Sequence, residues 1–325
     1  MKPHRFLPFA LCALFGLFSC RQEISVPQYD TQTELSIDRY PDSSFFSDIR
    51  CMQYADGKIY ALDAKRRDVA VLDPDFRNLA TIGTGGSGPA ELLSPAVFYV
   101  NEDTVGILDF GAGGIKNFVG SRCVEKKELP TALDKRFFCR EGVYYIPSVR
   151  EKGVFYTLNR NVAPEQHTYH GQPVSQQTVR RTLIRNQRHL LMQGEHLYAV
   201  PDALPIVEKY DLTTKALLES CDLSDIPVFR ENLRFIAAQE EEEKSYYVLV
   251  QDACLGEDWL YLLCNSLGKN YRCNTLVEVT LQPRLRVSAV YLLPGESYAA
   301  FCIAGNEIFA FNSRQGTLER IRKKS

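Results

Sequence analysis

One octet recurs six times in this chain of 325 residues, and that repetition constrains the fold more than any other feature. The copies begin at Lys58, Thr104, Gly142, His196, Trp259 and Glu307. Positions two and five are apolar in all six, as with Ile59 and Leu62 or Ile308 and Phe311, and position three is aromatic in five. Gly106 is the exception. The starts lie 38 to 63 residues apart, a spacing that suits one propeller blade per copy.

An apolar strand ending in a turn signal, such as Ala55-Asp56-Gly57, precedes each octet. After the first five copies come a second strand, as at 68–73 and 205–210, and a third that is more polar. Such a succession is a four-stranded antiparallel meander. Six meanders packed radially predict an all-β, six-bladed β-propeller, which leaves only short protected edges. A pair of β-sandwiches is the competing architecture, but it gives no reason for an octet to recur six times. Beyond the last octet stand only 317–321 and a basic tail, so the sixth blade lacks its outermost strand. The segment 34–40 precedes the first blade and has none of its own. It is expected to complete the sixth blade as an N-terminal strand that closes the ring.

At the N-terminus Lys2, His4 and Arg5 precede an apolar run over 6–18 that ends at Ser19 and Cys20. Thirteen apolar residues are too few to cross a bilayer as a helix and read as a secretion signal. Leu17-Phe18-Ser19-Cys20 resembles the lipobox of bacterial lipoproteins, in which the cysteine is acylated and becomes the mature N-terminus. Phe18 is bulkier than usual there, and an ordinary signal peptide with an incidental cysteine is the alternative. The expected organisation is a signal peptide over 1–19, a lipidated linker over 20–33 and the propeller over 34–325. No other stretch approaches 18 apolar residues, so the membrane anchor would be lipid alone. With Lys2 and Arg5 removed the formal charge is −4, which offers nothing to nucleic acid.

The segment Ile82-Gly-Thr-Gly-Gly-Ser-Gly-Pro-Ala-Glu-Leu92 adds a family resemblance. With the blade pattern, it is similar to the TolB-like or NHL-like six-bladed propeller lipoproteins of gut Bacteroidetes. Those proteins carry a Gly-rich, Gly-Pro-x-Glu segment after the first blade, and Gly85, Gly88, Pro89 and Glu91 are the matching positions. The resemblance implies a propeller in the cell envelope, an outer-membrane lipoprotein facing the periplasm or the surface, and says little about chemistry. The same glycines suggest a phosphate-cradling loop, but such a loop needs a helix after it. Pro95 and an apolar strand follow instead, which favours a blade-to-blade crossover.

Other constellations are weaker. His167 and His170 pose two imidazoles without a third ligand at useful spacing, so no metal or other cofactor is expected. A nucleophile elbow is absent from the sequence. Glu91, Asp252 and Asp258 are carboxylates expected near the channel. Most of the ten cysteines sit in apolar strands and read as buried thiols, while Cys264 and Cys273 bracket one hairpin loop and form a candidate disulfide. The insertion 222–245 suits a short amphipathic helix carrying Phe229, Leu233 and Ile236, with Ser224 as cap and an acidic run over 240–243.

Propeller topology brings the crossovers and the loops between second and third strands to one face. Those hairpins carry Arg66, Arg67, Arg150, Lys269, Arg272 and Arg314, so the expected ligand-binding face combines this basic rim with Gly85, Gly88, Pro89 and Glu91. The function expected is a monomeric envelope scaffold that binds a protein segment or an anionic glycan. The alternative is a metal-dependent propeller enzyme of lactonase, lyase or glycan-cleaving type.

Overall fold

The computed structural model describes residues 26–148, 150, 152–240 and 246–324. After strand β1 (Gln28–Ile37), the first meander runs through β2 (Ile49–Ala55), β3 (Lys58–Asp63), β4 (Asp68–Leu72) and β5 (Asn78–Ile82). The second is β6 (Pro95–Asn101), β7 (Thr104–Asp109), β8 (Gly114–Val119) and β9 (Arg122–Glu128). The third is β10 (Phe138–Arg140), β11 (Val143–Pro147), β12 (Phe155–Asn159) and β13 (Thr168–His170). The fourth is β14 (Arg188–Gln193), β15 (His196–Pro201), β16 (Ile206–Asp211) and β17 (Leu217–Asp222). Each is a separate four-stranded antiparallel sheet. The rest of the fold is one eight-stranded sheet, in which β1 joins β18 (Val250–Leu255), β19 (Trp259–Ser266), β20 (Arg272–Thr280) and β21 (Arg286–Leu292) to β22 (Tyr298–Ala304), β23 (Glu307–Asn312) and β24 (Thr317–Lys323).

The octets are β3, β7, β11, β15, β19 and β23, each flanked by two strands of its own sheet. That central place explains their apolar positions: both faces of a middle strand pack against neighbouring sheets, and β4 beside β3 is likewise buried at all five residues. The outer strands β5, β9 and β17 are mostly exposed, as sheet edges are, and β9 is mostly polar. Gly106 replaces the aromatic of the other octets because the Tyr99 ring from β6 occupies the space a side chain there would need. The first strands touch in a closed circuit, β2 to β6, β10, β14, β18, β22 and back to β2. The sheets therefore pack radially around a channel, as blades of a β-propeller.

The N-terminal strand pairs antiparallel with β24, from Thr31 opposite Lys323 to Ile37 opposite Leu318. It starts earlier than the expected 34–40, at Gln28, because its first residues pair in parallel with β21, Gln28 opposite Val290 through Asp30 opposite Leu292. Those residues are polar and mostly exposed, so no alternating pattern announced them.

Two α-helices interrupt the strands among the described residues. Helix α1 (Val179–Arg185), capped by the Thr178 hydroxyl, was not foreseen. In the insertion, α2 (Pro227–Ala237) begins at Pro227 with Ile226 as its N-cap, not Ser224. Val228, Phe229, Asn232 and Ile236 are buried while Leu233 is only partly so. Asn232 locks the helix to β19, donating to the Asn265 carbonyl at 2.6 Å and accepting from the Leu267 amide at 2.8 Å. The acidic run at 240–243 falls, apart from Glu240, outside the described residues.

Candidate functional site

Two buried aspartates at position six of their octets build the loop face. Asp63 accepts backbone N–H bonds from Ser47 and Asp48 in the chain entering β2, and from Lys65 and Arg66 in its own hairpin, at 2.9–3.2 Å. Asp109 repeats the device with Leu93 and Ser94 at 3.0 and 2.7 Å and with Gly111 at 3.1 Å. Each carboxylate thereby ties a crossover to the hairpin beside it. Both are fully buried beneath the loops, with their carboxylates satisfied by backbone amides.

The glycine segment is a crossover between β5 and β6, with no helix after it. It folds around Glu91, whose carboxylate accepts the Gly88 amide at 2.6 Å. A side chain at Gly86 would collide with that carboxylate, which explains the glycine. Gly85 bridges to Leu92, and the buried Lys116 ammonium donates to the Gly88 carbonyl at 3.2 Å and to the Glu91 carbonyl. Glu91 therefore staples its own loop. Gly88 and Pro89 instead form one wall of an open groove of about 590 Å³, whose other walls are Leu93, Lys116 and the outer strand β9. Leu93 and Val124 there are 40% and 45% exposed.

The basic rim is largely paired with acids, one from its own hairpin and the others from neighbouring segments. Arg66 binds Asp68 and Asp42 and stacks 4.0 Å from the Tyr40 ring centre. Lys269 meets Glu231 of α2 at 3.1 Å. Arg272 reaches Glu296 at 3.2 Å, and Arg314 shares that carboxylate. Arg67 and Arg150 are exposed, with the Arg67 side chain against Gly85.

Inside the channel, Arg136 and Asp252 form a buried two-pronged ion pair with N–O distances of 2.7 and 2.8 Å. Arg136 also donates to the Met52 and Phe301 carbonyls, and Asp252 accepts from the Ala253 and Phe301 amides. Burial disfavours the guanidinium charge, but the Asp252 carboxylate outweighs it and holds the Arg136 pKa above its ordinary value. The pair lies between two cavities. One, of about 220 Å³, is lined by Tyr54, Val100, Met192 and Ile303 at the far ends of the first strands. The other, of about 260 Å³, lies on the loop face and is lined by Asp48, Arg50, Lys135, His189 and Gln251.

The remaining candidates are dispersed. His170 Nε2 bonds the Thr157 hydroxyl at 2.8 Å and His167 Nδ1 the Pro164 carbonyl at 2.8 Å, so each imidazole has its own structural partner. Among the described residues no three His, Cys, Asp or Glu side chains cluster as a metal site. Asp252 does face the channel, whereas Asp258 is exposed in a turn. The Cys264–Cys273 disulfide is corrected: both thiols are free and buried. A bulge places Cys264 opposite Thr275 and Cys273 opposite Asn265, and the two side chains enter different core clusters on opposite faces of the sheet. Burial pushes both thiol pKa values up. Cys20 lies outside the described residues.

The geometry defines a β-propeller with a bridged channel and a grooved loop face. No family model matches the chain, and no curated protein matches it significantly. Solved structures that are similar to it include a putative exported protein from Bacteroides fragilis, with a TM-score of 0.60 and 14% identity over 93% of this chain and 100% of that one. A member of the DUF4221 family from Bacteroides vulgatus gives 0.60 and 8%, over 92% and 99%. A catalytically inactive virginiamycin B lyase from Staphylococcus aureus with quinupristin gives 0.51 and 10%, over 88% and 87%. At such identities the likeness concerns the fold: an all-β propeller of four-stranded antiparallel blades.

Proposed function

We propose that this chain is a cell-envelope lipoprotein, acylated at Cys20 and held at the outer membrane, whose propeller binds a protein segment as a scaffold. The eight-stranded sheet reads as two blades, β18 to β21 and β22 to β24 with β1, joined through that shared N-terminal strand. This count gives the six blades of the TolB-like or NHL-like pattern. An exported protein of similar fold supports an envelope location.

The groove between Gly88, Pro89 and β9 carries the binding reading. It combines exposed apolar side chains with the edge of a sheet, since β9 is the last strand of its blade and, among the described residues, pairs only with β8. An extended segment can add to such an edge through main-chain hydrogen bonds while Leu93 and Val124 take its side chains. The anionic glycan is the weaker partner, because Arg66, Lys269, Arg272 and Arg314 already have carboxylates. The enzymatic alternative draws on channel carboxylates, and Asp252 is committed to Arg136.

A photo-reactive residue at position 124, compared with one at 56 in a hairpin on the opposite face, tests the groove in the native envelope. The expected result is a defined protein adduct from 124 alone. Leu93→Glu should weaken that partner at least about tenfold, or about 1.4 kcal/mol. Equal labelling from both positions, or a partner indifferent to Leu93→Glu, moves the site elsewhere.

A further inference from the structure

We propose that the cleft where the β18–β19 and β22–β23 hairpins meet is a binding site for a neutral sugar, whose ring lies on the Trp259 indole while its hydroxyls donate to Glu257. The cleft is on the face opposite the crossovers, apart from the β9 groove, and the proposal goes beyond the scaffold reading.

The repeat itself shows that the fold does not require Trp259. Its place, position one of the octet, is held by Lys58, Thr104, Gly142, His196 and Glu307 in the other copies. Polar residues and glycine suit a strand end that meets water. Trp259, the one tryptophan of the chain, is instead 36% exposed. Among the described residues its indole enters no aromatic pair and its Nε1–H no hydrogen bond. A large aromatic side chain left this open, with a spare donor, is the kind of residue that contact sites concentrate.

The cleft beside the indole holds about 330 Å³, at the lower end of the roughly 300–1,000 Å³ of small-molecule sites. Its floor is internally neutralised. The Lys323 ammonium lies 4.2 and 5.1 Å from the ring centres of Tyr261 and Tyr291, bonds the Tyr261 hydroxyl at 2.6 Å and reaches Glu278 at 3.5 Å. Glu278 also accepts from Ser288 and Tyr291. A cationic ligand would find this aromatic cage already filled by Lys323, and an anionic one would be repelled by Glu257. The Glu257 carboxylate is exposed and forms no ion pair among the described residues. It can only accept, so it calls for hydroxyl donors. On the facing hairpin the exposed Asn306 amide reaches only the Lys323 carbonyl, at 3.5 Å. One aromatic wall and one hydrogen-bonding wall match a pyranose, whose C–H face is drawn to the electron-rich face of the indole while hydroxyls ring its edge. A flat apolar ligand would leave Glu257 without a donor.

The test uses the purified full chain, whose tryptophan fluorescence reports on Trp259 alone. The probes are methyl glucoside, methyl galactoside, methyl mannoside and N-acetylglucosamine, with sorbitol as an open-chain polyol that has hydroxyls but no ring face. At least one sugar should shift the emission saturably and protect the indole from iodide quenching, and sorbitol should do neither. In ligand-detected NMR titrations Trp259→Ala and Glu257→Ala should each weaken that sugar at least about tenfold, whereas Glu257→Gln, which keeps an acceptor, should lose less. If Trp259→Ala does not fold, Glu257→Ala and the wild-type emission decide. The proposal is overturned if none of the four sugars moves the emission, if sorbitol acts equally well, or if both alanine variants bind as the wild type does. Leu93→Glu should leave the sugar response unchanged, so failure here leaves the groove reading standing.

Discussion

Arg136 and Asp252 illustrate how single residues in this fold are fixed by what surrounds them. Taking both charges out of water is costly, and the geometry offsets it through the two-pronged contact, the Met52 and Phe301 carbonyls that Arg136 reaches and the backbone amides that Asp252 accepts. Asp252→Ala would leave the buried guanidinium without its counter-ion and should lower stability by about 3–5 kcal/mol. Adding Arg136→Met should recover more than half of that loss, because the stranded charge disappears. Urea denaturation of the two variants checks both, and a cost below about 1 kcal/mol for Asp252→Ala alone would mean that water reaches the pair. The sequence placed Asp252 near the channel but gave no sign of its partner: Arg136 precedes β10 by two residues and Asp252 stands in β18, and only the closed circuit of first strands brings them together. The same holds for the basic rim. The sequence displayed its Arg and Lys hairpins plainly, but Asp42, Glu231 and Glu296 neutralise them from other loops.

The elements were far more legible, because the octet is a local signal written by two-sided burial. All six octets are strands in the middle of a sheet, as their apolar positions two and five required. The signal failed where an element lies on the surface. Strand β1 starts in polar residues, α1 buries no side chain, and the cap of α2 is the backbone at Ile226 followed by Pro227. Strand β1 is the element whose removal matters most, since it covers the edge of β24 along six register pairs and that of β21 along three. It also packs Leu35 and Ile37 against the core of the first blade. Deleting 26–37 should lower the melting temperature and make the protein associate as its concentration rises, because two unpaired strand edges template further pairing. A synthetic peptide of the same residues should restore the melting temperature in trans. A truncation that melts and sediments like the full chain would show that the ring holds without this strand.

At the scale of the whole molecule the question is what would hold the propeller at a membrane, as the proposed function requires. No helix among the described residues is long and apolar enough to cross a bilayer, and the exposed apolar side chains are scattered over several strands and loops. The formal charge of −4 without Lys2 and Arg5 also gives little attraction to anionic lipid headgroups. On the proposed reading the anchor is lipid at Cys20, worth about 0.8 kcal/mol per buried methylene, and two or more chains would make the attachment stable. Strand β1 begins at Gln28, a few residues after that cysteine, which would keep the propeller close to the bilayer surface. Cys20→Ser should move the protein from the membrane to the soluble fraction while leaving its circular dichroism and melting temperature unchanged, because nothing in the blades depends on the lipid. Fractionation with a carbonate wash checks this. A Cys20→Ser protein that stays with washed membranes would place the attachment in the propeller itself, and the exposed apolar residues of the β9 groove would be the first place to look for it.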